Sequence, residues 1–302
     1  MNKFAIYTIM VGGYDEIIQP AVIDSRFDYI LFSNDFNTKQ IGIWTVKSIP
    51  TVLNNDNKRL SRYPKTHPDS MLSNYEASLY IDANVQINDK WVYNRFIELF
   101  DSGIDYAGIK LILTGKNCIY EHAIDMWLVG AEHDYNAIKQ CSELFKRGFP
   151  QHWGLNENNV IYRRHSAKMQ KANEEWWWWI KNYSYRDQFS YMYCLWKHQI
   201  KISYFLPEGE DTRNGNHFIL INHSASKVNS KKWVHRDFFE KIRLIIFRSY
   251  SEEKKNVQWR NFYVKCYNQG KLNLWTLTHL TIFFYSILKS IYKKIVKNGK
   301  NN

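Results

Sequence analysis

Short apolar runs alternate with amphipathic stretches through the first two thirds of this 302-residue chain, and then the pattern changes. Runs rich in β-branched and aromatic residues predict strands at Phe4–Met10, Tyr29–Ser33, Ile41–Val46, Ser78–Asp82 and Asp105–Leu111. Further strands are expected near Val160–Arg163, Lys201–Phe205 and His217–Ile221. Apolar residues at helical spacing predict helices between several of them, notably Lys90–Leu99 and Tyr135–Lys146. The alternation implies an α/β domain with a mainly parallel sheet flanked by helices. Ligands of such sheets sit outside the carboxyl ends of the strands. Two loops fall there: Val11-Gly12-Gly13-Tyr14-Asp15 after the first strand and Asp82-Ala83-Asn84 after the fourth.

The formal charge of +12 changes this picture only at one end. Residues 227–302 hold 17 Lys and Arg against 4 Asp and Glu, a net of +13, which leaves residues 1–226 at −1. The chain therefore reads as a domain over 1–226 and a basic, aromatic, helical tail over 227–302. The apolar run Leu272–Leu288 in the tail is interrupted by Asn273 and His279 and followed by lysines. It is short for a membrane span and suits a helix lying on an anionic membrane surface. Packing on the core or on a partner is the alternative. No RNA- or DNA-binding signature accompanies the basic residues, so nucleic acid is not expected as a partner. The first ten residues read as a strand rather than a leader. Cysteines at 118, 141, 194 and 266 show no Cys-x-x-Cys spacing, which fits a reducing cytoplasm.

Candidate chemistry gathers in a few segments. Asp82 and Asn84, two apart at a strand end, can turn a carboxylate and an amide oxygen toward one hard cation, Mn²⁺ or Mg²⁺; ending the strand in a turn is their plain structural role. His223, with His217 as the alternative, could complete such a site. The two lie about 20 Å apart on an extended strand and cannot both bind one ion. Gly12, Gly13, Tyr14 and Asp35, past the ends of the first two strands, are candidate nucleotide contacts. Arg59, Arg62 and Lys65 form a basic stripe on helical spacing that suits phosphate oxygens or, equally, solvent. Ser184 and Asp187 match a capping box in spacing, and Asp187 with Gln188 is also a candidate catalytic pair at a helix start. Four successive indoles, Trp176 to Trp179, spread over about 300° of a helix, so that some enter the core and one, Trp178, can offer a platform to a sugar ring.

Taken together, Arg59-Leu-Ser-Arg62-Tyr-Pro-Lys65, Ser78-Leu-Tyr-Ile-Asp82-Ala-Asn84, Tyr120-Glu121-His122-Ala, Gly154-Leu-Asn-Glu157 through Arg163-Arg-His165, and Ser184-Tyr-Arg186-Asp187-Gln188 resemble a glycosyltransferase-like family. This family, formerly a domain of unknown function, contains plant mucilage-related proteins and bacterial proteins of surface-polysaccharide loci. The resemblance covers about residues 3 to 225 and implies a GT-A-like fold. It also implies a divalent cation at Asp82 and Asn84, a nucleotide-sugar donor with a UDP-sugar favoured, and sugar or acceptor contacts at Glu121, His122, Gly154, Glu157 and Arg186, to which the indole run adds Trp178. Asn84 stands where the family's metal motif has a second Asp, which lowers the charge offered to the ion. The implied function is hexosyl transfer to a glycan or lipid-linked acceptor in capsule or O-antigen synthesis, on the cytoplasmic face of the membrane. In an inverting reaction Asp187 would be the base, and in a retaining one it would orient the donor. A membrane-associated lipid amide or ester hydrolase, or a noncatalytic carbohydrate-binding protein, are the alternatives; no Gly-x-Ser-x-Gly or His-Glu-x-x-His motif supports the hydrolase.

Overall fold

The computed structural model describes residues 3–13, 15–50, 56–113, 115–128 and 136–221. Tyr14, His223 and the whole tail 227–302 lie outside the described residues. In chain order the strands are β1 (Phe4–Ile9), β2 (Phe27–Phe32), β3 (Gln40–Ile41), β4 (Trp44–Lys47), β5 (Ala77–Ile81), β6 (Val85–Ile87), β7 (Tyr106–Lys110), β8 (Asn156–Arg164), β9 (Ser203–Tyr204) and β10 (Phe218–Leu220). The helices are α1 (Asn57–Leu60), α2 (Tyr63–Thr66), α3 (Pro68–Met71), α4 (Trp91–Asp101), α5 (Ile119–Leu128), α6 (Asn136–Lys146), α7 (Ala167–Asn182) and α8 (Tyr191–Lys197), with a 3₁₀ turn at Asp187–Phe189. The described residues divide into two units, one within 3–119 and 149–221 and one within 120–148. The second unit thus takes nearly all of α5 and all of α6.

The first unit is built on an eight-stranded mixed, mostly parallel sheet in the order β3-β4-β2-β1-β5-β8-β7-β9. Strands β4, β2, β1 and β5 run parallel to one another, as does β9 to β7, while β3 is antiparallel to β4 and β8 is reversed between β5 and β7. Every residue of β5 is buried, as expected for a central strand covered on both faces. On one face Ile6, Leu79, Ile81, Val160 and Tyr162 pack in a core with Val92, Tyr93, Phe96 and Leu99 of α4. Those four residues recur at the helical period, so α4 is held by the apolar stripe that predicted it. The alternate residues Tyr7, Tyr80 and Arg163 occupy the other face. There the fully buried Arg163 guanidinium donates to the Tyr7 hydroxyl and to Asn173 Oδ1 on α7.

The single strand expected at Ile41–Val46 is two strands, β3 and β4, paired antiparallel around Gly42. Gly42 has φ of +59°, and a Cβ there would lie 2.2 Å from Gln19 Oε1, the atom that accepts a hydrogen bond from the Ile43 amide. Gly42→Ala combines left-handed strain with this overlap. It should lower stability by about 1–3 kcal/mol in urea denaturation. The short β6, which was not expected, pairs antiparallel with β10 in a separate two-stranded sheet. Among the described residues no helix is long and apolar enough to cross a membrane.

Candidate active site

The carboxyl ends of β1, β2 and β5 form one edge of the sheet, and the chain brings its candidate residues to that edge from widely separated segments. After β1 the turn at Gly12 and Gly13 has φ of +82° and +57°, values that favour glycine. The Gly13 amide donates to Asp35 Oδ2 at 3.0 Å, so the turn after β1 and the loop after β2 are tied together. A Cβ on Gly12 would lie 3.0 Å from Asn57 Nδ2, which places the start of α1 against the same turn.

The basic stripe does not stay on one face. Pro64 and Pro68 each sit in the first turn of a new helix, and the segment folds as three four-residue helices. Arg59 therefore parts from Arg62 and Lys65. All three of its guanidinium nitrogens are engaged: Nη1 with Asp56 at 2.8 Å, Nε with the Ile180 carbonyl at 2.9 Å and Nη2 with the Tyr183 carbonyl at 2.7 Å. It satisfies carbonyls at the end of α7 that the helix leaves open, and in this arrangement it is a clamp between α1 and α7 rather than a phosphate ligand.

Lys65, with only 2% of its side chain exposed, lies between the two acids that stand out in the sequence. Its ammonium is 2.5 Å from Asp187 Oδ2 and 3.5 Å from Asp82 Oδ1, and 4.4 Å from the centre of the Tyr80 ring. Arg62 Nε stands 3.7 Å from the same Asp187 oxygen. The Tyr80 hydroxyl donates to Asp82 Oδ1 at 2.5 Å. Asp187 opens the 3₁₀ turn, and its main chain is fixed by Trp176, whose Nε1 donates to the Asp187 carbonyl at 3.0 Å. Burial works to raise the Asp187 carboxyl, but Lys65 and Arg62 outweigh it and hold the group below its ordinary value. The Tyr80 hydroxyl is pushed well above its ordinary range by burial and by the charge of Asp82.

Asp82 and Asn84 remain at the strand end as expected. One Asp82 oxygen is taken by Tyr80 and Lys65, and the side chain is 36% exposed. The Asn84 amide nitrogen donates to the Ile221 carbonyl at 2.9 Å, which turns the amide and joins this loop to the end of β10. His223 follows Ile221 by two positions and lies outside the described residues. His217, the alternative ligand, belongs to a different group: Nδ1 meets Asp89 Oδ2 at 2.9 Å and the ring stacks on Trp91 with centroids 3.9 Å apart. Among the described residues no three His, Cys, Asp or Glu gather as a metal-holding set. Two hard oxygens on Asp82 and Asn84 nonetheless fit a cation of the magnesium type, which keeps waters and takes further oxygens from substrate phosphates.

A second polar group adjoins the first. The Asp82 amide donates to the Asn159 carbonyl at 2.7 Å, and the Asn159 side chain donates to Glu157 Oε2 at 3.1 Å and Thr212 Oγ1 at 2.7 Å. Glu157 is buried and ion-paired with Arg213, whose guanidinium also lies 3.5 Å from Asp211. Burial pushes the Glu157 carboxyl up and Arg213 draws it partly back. Gln188 Nε2 donates to the Asn156 carbonyl at 3.3 Å, so the candidate catalytic pair divides: Asp187 faces Lys65, and Gln188 braces β8.

The remaining candidates are dispersed. Gly154, at φ of +123°, anchors its loop through the Asn117 carbonyl at 3.0 Å. Ser184 does not form the expected capping box. Its hydroxyl accepts from the Arg186 amide at 3.2 Å, because the segment turns tightly into a 3₁₀ turn instead of an α-helix. Trp176 and Trp179 are buried, whereas Trp178 is 44% exposed. Glu121 and His122 stand on α5 in the second unit, with His122 buried. Sequence reasoning missed Tyr80, Trp176 as a support for Asp187, and Arg213. For Tyr80 a signal existed: on a strand, residues 80 and 82 share a face. Compared with known proteins, the chain matches no family model and no curated protein sequence.

Proposed function

We propose that this chain is a glycosyltransferase that takes a sugar from a nucleotide-sugar donor, a UDP-sugar in the favoured case, and places it on a glycan or lipid-linked acceptor of a bacterial surface polysaccharide. The observation that carries this reading is the Lys65 ammonium held between Asp82 and Asp187. It joins three segments that the sequence resemblance names separately, at the sheet edge where α/β proteins bind ligands. The GT-A-like architecture is part of the same proposal, supported by the mostly parallel sheet and by the two loops at its carboxyl edge.

In this reading the nucleoside lies along the Gly12–Gly13 turn and Asp35, and the diphosphate faces Arg62 and Lys65. The bond between the sugar's anomeric carbon and the diphosphate breaks with its electron pair passing to the phosphate oxygen. The acceptor hydroxyl oxygen bonds to the same carbon and its proton passes to solvent water. Charge builds on the leaving diphosphate, and donors already fixed beside it stabilise that charge without reorganising. A divalent cation held by Asp82 and Asn84 would add Lewis-acid stabilisation of the leaving group. Asp187, bound to a lysine and held below its ordinary carboxylate range, is a weak proton acceptor. Its geometry favours an orienting role over that of base. The basic tail, with a net charge of +13, suits an anionic membrane surface on which lipid-linked acceptors are met, with the enzyme peripheral on the cytoplasmic face.

The test is release of nucleotide from a panel of UDP-, GDP- and ADP-sugars, followed by chromatography with and without acceptor glycans. One donor should turn over, and Asp82→Ala should lower kcat by about 10²–10³. Turnover of none of these donors, or a variant as active as the parent, would overturn the reading.

A further inference from the structure

We propose that Arg62 and Lys65 form a seat for a diphosphate group that binds its ligand without a divalent ion. The inference rests on the transferase reading and deepens it, separating the grip on the donor from any metal-assisted step.

Charge at the site is the first ground. Asn84 contributes an amide where a second carboxylate would add charge, so the local anions are Asp82 and Asp187. Lys65 stands against both, and Arg62 lies beside Asp187. Two cations thus already balance the two carboxylates. A divalent ion arriving alone finds no surplus negative charge there and would need the diphosphate's own, whereas a phosphate meets two cations on fixed side chains. Hydrogen bonding is the second ground. Arg62 Nε is buried with no hydrogen-bond partner, and at 3.7 Å from Asp187 it is beyond hydrogen-bond range. An unanswered guanidinium N–H costs free energy unless an acceptor arrives, and phosphate oxygens are the acceptors to which the guanidinium fork is matched. Rigidity is the third. Asp187 and the Tyr80 ring fix the Lys65 ammonium, so that little side-chain entropy remains to be lost when the ligand binds.

The experiment is calorimetric titration of the full chain with UDP, in EDTA and again in Mn²⁺. The expected Kd in EDTA lies within about threefold of the Mn²⁺ value, and Arg62→Gln weakens binding in EDTA by about tenfold or more. Lys65→Met with Asp187→Asn, a pair that removes both buried charges together, should show the same loss. Binding of UDP in Mn²⁺ alone would overturn the metal-free seat and leave the transferase reading intact, as would undiminished binding by Arg62→Gln in EDTA. If UDP, GDP, CDP and ADP all fail to bind under either condition, the transferase reading falls together with the seat.

Discussion

Asp187→Asn should lower the stability of the protein at neutral pH by about 3–5 kcal/mol, the cost of breaking a buried ion pair by removing one partner. Lys65 is 2% exposed, and Asp187 is its nearest anion at 2.5 Å, so the variant leaves an ammonium in the protein interior with only the more distant Asp82. The pH dependence separates charge from packing. Lys65 and Arg62 hold the Asp187 carboxyl below its ordinary value in the fold. The stabilisation from this group is therefore complete above the unfolded-state pKa of about 4 and is lost as pH falls through the lower folded value. In urea denaturation the difference between wild type and Asp187→Asn should be full at pH 7 and shrink steadily below about pH 4. A difference that stays constant into that acid range would mean that the shape of the side chain, not its charge, holds the site.

Trp176→Ala should cost a comparable amount, about 3–5 kcal/mol, through the cavity left by a fully buried indole. Trp176 stacks on Tyr191 with ring centroids 3.7 Å apart, and its Nε1 donates to the Asp187 carbonyl. The substitution removes core packing and the support of the 3₁₀ turn that presents Asp187. Turnover should therefore fall further than the loss of folded protein accounts for, read as kcat measured at a temperature where the variant remains folded. Trp178→Ala, two residues along the same helix, is the control. Its side chain is 44% exposed and lies edge-on to Trp179, so the change should cost about 1 kcal/mol, well below that of Trp176→Ala.

Elements fixed by apolar period were legible in the sequence, whereas contacts fixed by long-range polar pairing were not. The helices expected at Lys90–Leu99 and Tyr135–Lys146 occur as Trp91–Asp101 and Asn136–Lys146, since an apolar stripe specifies a helix locally. β8 was expected from Val160, yet it begins at Asn156. Its Asn-Glu-Asn-Asn opening looks like a loop by composition and becomes a buried strand only because Tyr106, Thr212 and Arg213 answer its side chains. The strand Ile41–Val46 was read as continuous because the left-handed conformation at Gly42 leaves no trace in apolar spacing.

At the site, the identities of Asp82, Lys65 and Asp187 were legible and their mutual contact was not. Helical spacing placed Arg59 and Arg62 on one face, which assumed a continuous helix. The prolines at 64 and 68 start new helices instead and send Arg59 to the end of α7. From its position at a helix start Asp187 reads equally as a base or as an orienting group. Its pairing with a lysine 122 residues away is a property of the tertiary fold and changes what the carboxylate can do.

The central claim is that a nucleotide binds at the Arg62, Lys65 and Asp82 cluster, and thermal unfolding with UDP, GDP, CDP and ADP in the presence of Mn²⁺ tests it most directly. At a concentration 100-fold above Kd, one of these nucleotides should stabilise the fold by about 2.7 kcal/mol. That corresponds to a rise in Tm of about 5–10 °C for a domain of this size. Arg62→Gln should lose most of that rise, measured against its own ligand-free Tm. If none of the four nucleotides moves Tm, or if Arg62→Gln responds as the parent does, the cluster is not a nucleotide site and the account is contradicted.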